Sequence, residues 1–426
     1  MTKRISKKVY AKIQFVLSSP LMIGSGENIK TDHDLVYDSQ GRPYIPASAL
    51  AGVTREILKR HSVADIDKYY GNISKSSKTS SSHKQVESRV VFYDAVLTSN
   101  SPCYISVRDS VALDEYKTAK KGAKFDSEIL EAGAIFETYL EQDYYSSDDA
   151  DFIRQIGKAL LSDEFSLGGK TSRGYGRIKN VEILIREYSM ESRDDIEAWL
   201  GFDLFAENDG WTPDKSIEPY SEKCLTLTLQ QNGPMTIRKY ATTINSNSHE
   251  PEPDFEFLSS HDGEEEKPVV PGTTWAGAFL SDMVKWNISE REKDEMFGFV
   301  RGNKARSSRL MFGESQIDDF KSKVIVRNAI DRFTAGTLEH ALYTERTVWG
   351  GTTKLRIMWR GESALSEHMR ELLAESITDI HLGYTAIGGG TSVGRGLFHV
   401  SRIEDQDVTD DDIYDVAFQK IGEVFQ

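Results

Sequence analysis

The sequence has 426 residues, enough for two or three domains of ordinary size. Hydrophobic residues make up 38% of the chain and charged residues 28%, no apolar run approaches the roughly 18 residues that span a bilayer, and the first residues lack the apolar stretch of a signal peptide. We therefore expect a soluble cytoplasmic protein. The net charge of −15 argues at face value against nucleic-acid binding, because Lys and Arg must neutralise phosphates.

The first half of the chain predicts a short series of strands and helices. Apolar residues alternate over Val9–Leu17, as in a strand, and a proline-led turn then places Ser48 where it can cap a helix over Ala49–Arg60. The elements that follow are a strand-rich stretch over Arg89–Leu97, a helix over Asp149–Leu161, a glycine-rich loop, and a last strand over Ile178–Ile185.

The second half repeats this series. It begins with a strand over Leu225–Leu229 and a turn that offers Thr273 as a helix cap. The later elements are a helix over Trp275–Trp286, strands within Arg309–Ile317, a helix over Glu362–Ile377 and a last strand over Leu397–Ile403. This order predicts an α+β fold of two tandem ferredoxin-like (RRM-like) domains with long insertions. Because that fold hosts many functions, function must be argued from the sites.

Four motifs, each of which occurs twice, indicate that the chain contains an internal repeat. The motifs and their second copies are Pro43–Gly52 and Pro268–Gly277, Ser88–Phe92 and Ser308–Phe312, Val107–Asp109 and Val326–Asn328, and Gly168–Gly176 and Gly388–Gly396. Subtracting their first positions gives offsets of 225, 220, 219 and 220, so four separate matches agree on one period. We predict a first domain at 1–188, an acidic linker with a short helix at 189–220, and a second domain at 221–426 with an acidic tail.

The charges are unevenly distributed along the chain. Acidic residues are concentrated at 141–151, 187–209, 250–266 and 404–412, and basic residues at 3–12, 55–60, 75–84, 117–124 and 301–309. Each basic run alone is typical of solvated surface, but together they keep nucleic-acid binding open. The two cysteines, Cys103 and Cys224, have no partners at metal-ligand spacing, which argues against a disulfide framework or a cysteine-based zinc site.

Both copies contain the glycine-rich pattern GGxTSxGxG. The pattern is not a phosphate-binding P-loop, because Glu164 stands where that motif needs Gly and the second copy lacks the Lys. Such a loop can bring backbone N–H groups and small hydroxyls close to phosphates. The plain alternative is a tight turn between helix and strand.

Three features together resemble the repeat-associated RAMP superfamily: the glycine-rich loop Gly168–Gly176, the IPxSxLxG turn Ile45–Gly52, and the segment Val107–Asp109. The likeness covers nearly the whole chain. It is greatest to the backbone subunits of type III CRISPR effector complexes, and the duplication resembles the fused double-backbone subunits of the type III-D group.

The resemblance implies two RAMP domains with thumb and lid insertions that lie along a guide CRISPR RNA, with a complementary target RNA and other effector subunits as partners and no membrane. Binding should be independent of guide sequence and steeply salt-dependent. The implied RNA contacts are Ser48, Arg55, Lys59, Arg108, Lys120, Lys121, Gly168, Gly169, Lys170, Thr171, Ser172, Arg173, Tyr175, Arg327, Gly388, Gly389, Gly390, Thr391, Ser392 and Arg395. The second copy departs from this pattern with Leu280 and Val284 for Arg55 and Lys59, and with Val393 and Arg395 for Arg173 and Tyr175.

The resemblance also implies that an aspartate in the loop after the first strand cuts the target RNA with a divalent metal, Mg²⁺ or Mn²⁺. It points to Asp32, with Asp34 as an alternative, and to Asp254, with Glu256 or Asp262 as alternatives. His33 is an accessory candidate for proton donation. RNA carries its own nucleophile, the 2′-OH, so one carboxylate or metal-bound water per site suffices chemically. A lone Asp in a polar loop is otherwise typical of a turn.

A thumb in this family flips out every sixth guide nucleotide, so two sites imply two cuts about six nucleotides apart. We predict thumbs at Lys117–Glu141 and Phe333–Leu355, with Val348 and Trp349 as a wedge between bases; core packing is the alternative for Trp349. The serine-rich stretch 74–84 has the composition of a loop that orders on RNA.

Three functions remain open from the sequence. The first is a metal-dependent, RNA-guided endoribonuclease subunit with up to two active sites. The second is a non-catalytic RNA-binding scaffold of the same kind of complex. The third is a stand-alone guide-processing ribonuclease, which ranks lowest because the two copies share no histidine. The guide length and the position of the chain in a complex are also open.

Overall fold

The computed structural model describes residues 4–26, 29–73, 85–113, 119–146, 149–206, 210–220, 223–240, 253–361 and 363–425. The chain divides into two compact units, Met1–Thr171 with Tyr175–Glu222, and Ser172–Gly174 with Lys223–Gln426. Each unit has its own hydrophobic core. Among the described residues, no helix is long and apolar enough to cross a membrane.

The first unit is built on a central antiparallel sheet. Its elements are β1 (Lys7–Leu17), α1 (Ala47–Arg60), α2 (Ile66–Tyr70), β2 (Asn72–Ile73), β3 (Gln85–Val86), β4 (Val90–Phe92), β5 (Val96–Leu97), β6 (Ile105–Leu113), β7 (Ala119–Leu130), β8 (Ile135–Tyr144), α3 (Phe152–Leu161), β9 (Ile178–Ser189), α4 (Arg193–Leu200) and β10 (Thr212–Pro213). The strand order is β10-β9-β1-β8-β4, with β5 also paired to β8. With α1 between β1 and β4 and α3 between β8 and β9, this is the βαββαβ path of a ferredoxin-like domain.

Aromatic side chains fill the core of the first unit. Phe15 on β1 stacks on Phe136 on β8 with ring centroids 5.8 Å apart, and Tyr69 stacks on Phe152 at 4.0 Å. All four are buried, and each such side chain contributes about 1.5–3 kcal/mol by leaving water. The alternation of buried and half-buried residues along β1 is the period-two pattern that its sequence predicts.

Residues 189–220, which we predict as a linker, belong to the first unit where the structure describes them. The indole Nε1 of Trp199 on α4 donates to the hydroxyl of Tyr10 on β1 at 3.0 Å. Further along, Ile217 is buried in the same core as Phe15. This segment therefore covers the face and edge of the first sheet.

The second unit repeats the architecture with a larger sheet. Its elements are β11 (Cys224–Asn232), β12 (Pro234–Met235), β13 (Arg238–Tyr240), β14 (Phe255–Phe257), β15 (Ser259–Asp262), β16 (Glu265–Val270), α5 (Gly272–Lys285), α6 (Glu290–Phe297), β17 (Phe299–Arg301), β18 (Lys304–Arg306), β19 (Leu310–Phe312), β20 (Ser315–Asp318), β21 (Lys321–Ile330), β22 (Thr337–Trp349), β23 (Thr352–Trp359), α7 (Glu367–His381), β24 (Leu397–Ile403), β25 (Gln406–Asp407) and α8 (Ile413–Val424). The order is β15-β16-β20-β23-β11-β24-β25, with β19 also paired to β23, so β24-β11-β23-β19 matches β9-β1-β8-β4. The prediction of two tandem ferredoxin-like domains is confirmed.

The core of the second unit is centred on α5. Trp275 is fully buried, and its indole Nε1 donates to the hydroxyl of Ser315 at 3.2 Å, which satisfies the polar atom of a large apolar side chain. Phe279 on α5 contacts Phe312 on β19 with centroids 4.8 Å apart. The helix α7 and the C-terminal helix α8 complete this core.

The predicted helix caps are wrong. Pro46 and Pro271 are the N-cap residues of α1 and α5, without a side-chain cap, so Ser48 and Thr273 lie inside the first turn. In α1 the carboxylate of Asp94, which is remote in sequence, accepts from the backbone N–H of Ala47 at 2.7 Å and replaces the expected local cap. Proline fits the start of a helix, since its ring fixes φ and it has no N–H to leave unsatisfied.

Each unit also has a long two-stranded hairpin outside the central sheet. The first hairpin pairs β6 with β7, and the second pairs β21 with β22. The predicted thumbs at 117–141 and 333–355 are therefore displaced along the chain, because each includes part of a central strand, β8 or β23, and omits the first hairpin strand. The segments Val107–Asp109 and Val326–Asn328 lie on that omitted strand.

Candidate functional site

In each unit the loop after the first strand lies along the second strand of the hairpin. In the first unit the carbonyl of His33 accepts from the backbone N–H of Glu128 on β7 at 3.0 Å. In the second unit Phe255 on β14 pairs with Glu345 on β22. Each loop therefore brings its predicted catalytic aspartate to the hairpin.

Two reciprocal hydrogen bonds hold Asp32. Its backbone N–H donates to Oδ1 of Asp126 on β7 at 2.8 Å, and its own Oδ2 accepts from the backbone N–H of Asp126 at 3.0 Å. Asp32 is exposed. The bonds fix the carboxylate in position and leave its second oxygen, Oδ1, outside the pair.

Asp34, the alternative to Asp32, has a different surrounding. It is buried, and it accepts hydrogen bonds from the backbone N–H groups of Ile29 (2.7 Å), Lys30 (3.0 Å) and Thr31 (2.8 Å). Burial alone would raise the pKa of Asp34, but these hydrogen bonds outweigh it and lower the pKa to about 2. Both oxygens of Asp34 are used to shape the loop, so the geometry favours Asp32 as the carboxylate that meets a substrate.

Asp254 is held in the same manner as Asp32. Its backbone N–H donates to the hydroxyl of Thr344 on β22 at 3.0 Å, and its Oδ2 accepts from the backbone N–H of Thr344 at 2.7 Å. The N–H and hydroxyl of Thr344 hold the pKa of Asp254 below its ordinary value, so the side chain stays ionised at neutral pH. Glu256, an alternative to Asp254, is paired instead with Arg346 at 2.8 Å.

An aromatic pair and a cation accompany each aspartate. His33 packs edge-on against Phe125 in the first unit with centroids 6.1 Å apart, and Phe255 packs edge-on against Tyr343 in the second at 5.9 Å. The Nζ of Lys170 lies 5.1 Å from the Phe125 ring and donates to the hydroxyl of Ser127 at 3.0 Å. The two units thus share three features: an aspartate, a backbone N–H of the hairpin that donates to it, and an edge-on ring pair beside it.

The second unit takes its cation from a different place. The guanidinium of Arg238 lies 4.7 Å from the Phe255 ring and 5.3 Å from the Tyr343 ring. Met22 and Thr236 match each other, because each accepts a hydrogen bond from the glycine-rich loop of its unit. Arg238 therefore matches Gly24, which has no side chain, so comparing the repeats does not reveal Arg238. Each unit therefore has a cation next to the ring pair that accompanies its aspartate.

The glycine-rich loops are fastened by the same hydrogen bonds in both units. In the first, the N–H of Gly169 donates to the carbonyl of Met22 at 2.7 Å and that of Gly176 to Pro20 at 2.7 Å. In the second, Gly389 donates to Thr236 at 2.8 Å and Gly396 to Pro234 at 2.9 Å. A Cβ on Gly168 would overlap the Met22 carbonyl, and one on Gly388 would lie 2.8 Å from that of Thr236.

Gly396, at the end of the second glycine-rich loop, also lies too close to the backbone to carry a side chain, which gives a testable prediction. The φ of Gly396 is +76°, and that of the matching Gly176 is +74°. A Cβ on Gly396 would overlap the carbonyl oxygen of Ile387. We expect Gly396→Ala to destabilise the second unit by about 3 kcal/mol or more. Gly394→Ala is the control, because its φ is +78 but nothing lies within 4 Å of a Cβ, so only the backbone strain of about 1–2 kcal/mol remains. Equal unfolding midpoints in denaturant would contradict the packing argument.

Arg108 and Tyr175, two of the predicted RNA contacts, lie in the interior of the first unit. Arg108 is 6% exposed, donates to the Tyr175 hydroxyl at 3.1 Å and pairs with Glu131 at 3.4 Å. Tyr175 is 7% exposed. The pair joins the glycine-rich loop to the base of the hairpin and positions the surface around it.

Arg395 and Arg327 have a similar role in the second unit. Glu345 is fully buried, and Arg395, itself 3% exposed, pairs with its Oε1 at 2.6 Å. Arg327 approaches the same oxygen at 3.3 Å and Arg238 approaches Oε2 at 3.0 Å. Arg395 is therefore not available to a phosphate in this structure, whereas Arg327 and Arg238 are partly exposed.

Comparison with known proteins places the chain in a family. A family model of the RAMP superfamily matches residues 14–179 and 247–399, one segment in each copy of the repeat. The chain belongs to the RAMP superfamily. A curated relative, the CRISPR system Cms endoribonuclease Csm3 of Methanocaldococcus jannaschii, is 30% identical over an alignment 181 residues long that covers 38% of this chain and 73% of that protein. The relative therefore matches a length close to one RAMP copy.

The first helix of the first RAMP copy carries partly neutralised cations. Arg55 donates to Asp67 at 2.5 Å and to the carbonyl of Gly71 at 3.3 Å, and Lys59 donates to Glu56 at 2.8 Å. Such exposed pairs are worth about 0–1 kcal/mol, so a phosphate can compete for either cation. Ser48 is exposed on the first turn of the same helix.

The remaining predicted RNA contacts are the residues of the two glycine-rich loops, which the structure describes, and Lys120 and Lys121 of β7, whose side chains it does not describe. Residues 171–173 and 391–393 form short 3-10 turns at matching places in the RAMP loops. Most of these loop residues are exposed or half-buried: Gly168, Gly169, Lys170, Thr171, Ser172, Arg173, Gly388, Gly389, Gly390, Thr391 and Ser392. Lys120 and Lys121 have their backbones on β7, but their side chains lie outside the described residues, as do Lys117 and the stretch 74–84.

The predicted wedge residues of the second hairpin lie at its base. Val348 is buried, and Trp349 is half-buried with its indole Nε1 donating to the Thr347 hydroxyl at 2.8 Å. Val348 is therefore a core residue, which is the alternative to a wedge. At the other end of the hairpin, Phe333 is 93% exposed in the turn between β21 and β22, and the sequence prediction did not single it out.

The carboxylates can accommodate a hard divalent cation in both copies. Such ions take oxygen ligands and are commonly bound through one or two carboxylates plus substrate phosphates. The first copy offers Asp32 and Asp126, and the carboxylate of each accepts a hydrogen bond from the backbone N–H of the other. The second copy offers Asp254 beside the hydroxyl of Thr344. Asp126 was not predicted, because the second copy has no acidic residue there to mark it.

Proposed function

We propose that this RAMP protein is a guide-RNA-binding backbone subunit of a type III CRISPR ribonucleoprotein and cleaves complementary target RNA at up to two sites about six nucleotides apart. The relative's name, an endoribonuclease of a CRISPR system, supports the substrate class and the reaction. The two RAMP copies support a fused double-backbone arrangement of the type III-D kind.

The observation that carries the proposal is the duplicated setting of the two aspartates. Asp32 and Asp254 each exchange two hydrogen bonds with one residue of the hairpin, Asp126 or Thr344, and each lies beside an edge-on ring pair. A turn aspartate needs only local hydrogen bonds, as Asp34 has. A carboxylate fixed against a distant strand and still exposed is suited to act on a bound molecule.

The chemistry needs few protein groups. The 2′-OH of the target attacks the adjacent phosphorus, the 5′-oxygen leaves, and the products carry a 2′,3′-cyclic phosphate and a 5′-OH. Asp32 or Asp254 accepts the hydroxyl proton directly or through water, and the leaving 5′-oxygen takes up a proton from that carboxyl group or from water. A Mg²⁺ or Mn²⁺ ion held there would neutralise charge on the phosphate. Lys170 and Arg238 provide further positive charge at the two sites.

The same geometry allows a scaffold role for the second copy alone. Among the residues that the structure describes there, a threonine replaces Asp126, and the backbone and side chain of Thr344 already contact the carboxylate of Asp254. We therefore expect the second site to need more Mg²⁺ than the first for equal cleavage. If it never cleaves, its remaining role is to hold RNA.

The guide-binding part of the proposal is tested by sequencing RNA that co-purifies with the chain from cells that express its whole locus. We expect short RNAs of uniform length with shared, repeat-derived 5′ ends. Random fragments of cellular RNA, or a chain free of nucleic acid, would contradict the proposal. Washing at increasing salt gives a second readout, because contacts to the backbone predict steep loss of RNA with salt.

A further inference from the structure

Two histidines and an aspartate of the second unit converge at a place that the RNA site does not use. They are His381 in the last turn of α7, His399 on β24 and Asp410 just before α8. One ligand atom from each lies within 4.8 Å of the other two. The matching positions of the first copy, 220 residues earlier, are Leu161 and Lys179, so the cluster has no counterpart there.

The hydrogen bonds of His381 determine what its second nitrogen can do. The His381 side chain is fully buried, and Nδ1 lies 3.0 Å from the carbonyl oxygen of Val400. A carbonyl oxygen only accepts, so Nδ1 carries the proton and donates. In the neutral ring Nε2 then presents its lone pair, and a second bond of this kind to a backbone carbonyl is how metal-binding histidines are oriented.

That lone pair faces another acceptor. Nε2 of His381 lies 2.9 Å from Oδ1 of Asp410, and the ring of His399 lies over His381 with centroids 4.1 Å apart. Two acceptors repel each other at this distance unless a shared proton or cation lies between them. A proton on Nε2 accounts for His381 and Asp410 but gives His399 no role, whereas a cation is shared by all three groups.

We propose that His381, His399 and Asp410 bind a divalent transition metal, with Zn²⁺ as the best fit. Two imidazoles and a carboxylate suit zinc and related ions, while Mg²⁺ prefers an all-oxygen set. His399 and Asp410 are exposed, so the fourth position is open to water. The ion would tie β24 to α7 and to the start of α8. This inference does not depend on the proposed RNA cleavage.

The test uses the untagged full-length chain, stripped with a chelator and titrated with ZnCl₂ by calorimetry. We expect one zinc per chain and visible absorption typical of tetrahedral coordination when Co²⁺ replaces it. His399→Ala and Asp410→Asn change exposed residues and should each weaken zinc binding by at least about tenfold. His368→Ala is the control, because this exposed histidine lies on the same helix and contacts Glu292 instead.

A second readout separates a built site from loose surface binding. Zinc should raise the melting temperature of the wild type and of His368→Ala but not of His399→Ala, and MgCl₂ should neither compete nor stabilise. Zinc binding below one equivalent, unchanged affinity in both ligand variants, or an equal loss in His368→Ala would overturn the proposal and leave a protonated His381–Asp410 pair as the explanation of the geometry.

Discussion

In the assembled complex, Asp32→Ala should remove one of two target-RNA cuts and leave the other, and Asp254→Ala should do the converse. Each lost cut should fall by at least about 100-fold, since the proposal makes the carboxylate the proton acceptor or metal ligand of its site. Binding of the target should persist, because removing a negative charge beside phosphates relieves repulsion. The measurement is denaturing electrophoresis of an end-labelled complementary RNA.

The asparagine variants separate catalysis from positioning. Asp32→Asn and Asp254→Asn keep an oxygen that can accept from the N–H of Asp126 or Thr344, so the reciprocal bonds survive while the charge is lost. We expect them to be as inactive as the alanine variants at their own cut. Full cleavage by either asparagine variant would show that the aspartate only shapes its loop.

The second large effect concerns Glu345. Glu345→Ala should destabilise the second unit by about 3–5 kcal/mol, because it leaves the buried guanidinium of Arg395 without its carboxylate. The control is Glu256→Ala, which removes a pair with Arg346 in which both side chains are about one-third exposed and which should cost under about 1 kcal/mol. Denaturant unfolding followed by tryptophan fluorescence measures both.

A small effect of Glu345→Ala would contradict the assignment of Arg395 as a positioning residue. In that case the guanidinium has another partner or reaches solvent, and its prediction as an RNA contact returns. RNA binding by the variant gives an independent readout. If Glu345 only supports the fold, the variant should bind RNA with unchanged salt dependence under conditions in which it remains folded.

The fold was predictable from sequence because two independent signals agreed. The alternation over Val9–Leu17 and the four repeated motifs gave the order of strands and helices, and the structure places a strand at Lys7–Leu17 and a last strand at Leu397–Ile403. Helix starts were less predictable, because the group that satisfies the N–H of Ala47 comes from Asp94, which is remote in sequence and lies between β4 and β5. A local sequence rule cannot include such a partner.

The candidate site was only partly predictable for a related reason. Asp32 and Lys170 were marked by motifs, and both meet the same stretch of β7 at Asp126 and Ser127. Burial was not predictable from motif position, so Arg108 was interpreted as a surface cation although it pairs with Glu131 in the interior. A repeated arginine is consistent with either role until its partner is known.

Other residues gave no signal in the sequence. Arg238 replaces Lys170 as the cation near the aromatic pair but comes from a different segment, so aligning the repeats places it opposite Gly24. The cluster of His381, His399 and Asp410 has no ligand-type spacing, and only the packing of α7, β24 and α8 brings it together. Comparing repeats reveals what the two copies share and conceals what one copy alone has gained.

The most direct test of the central claim is cleavage by the assembled complex carrying Asp32→Ala and Asp254→Ala together. The duplicated geometry predicts that the double variant binds complementary target RNA as tightly as the wild type and makes neither cut, and that a chelator of divalent ions has the same effect on the wild type. Two cuts that survive the double substitution would contradict the assignment of both aspartates and move the active sites elsewhere in the complex.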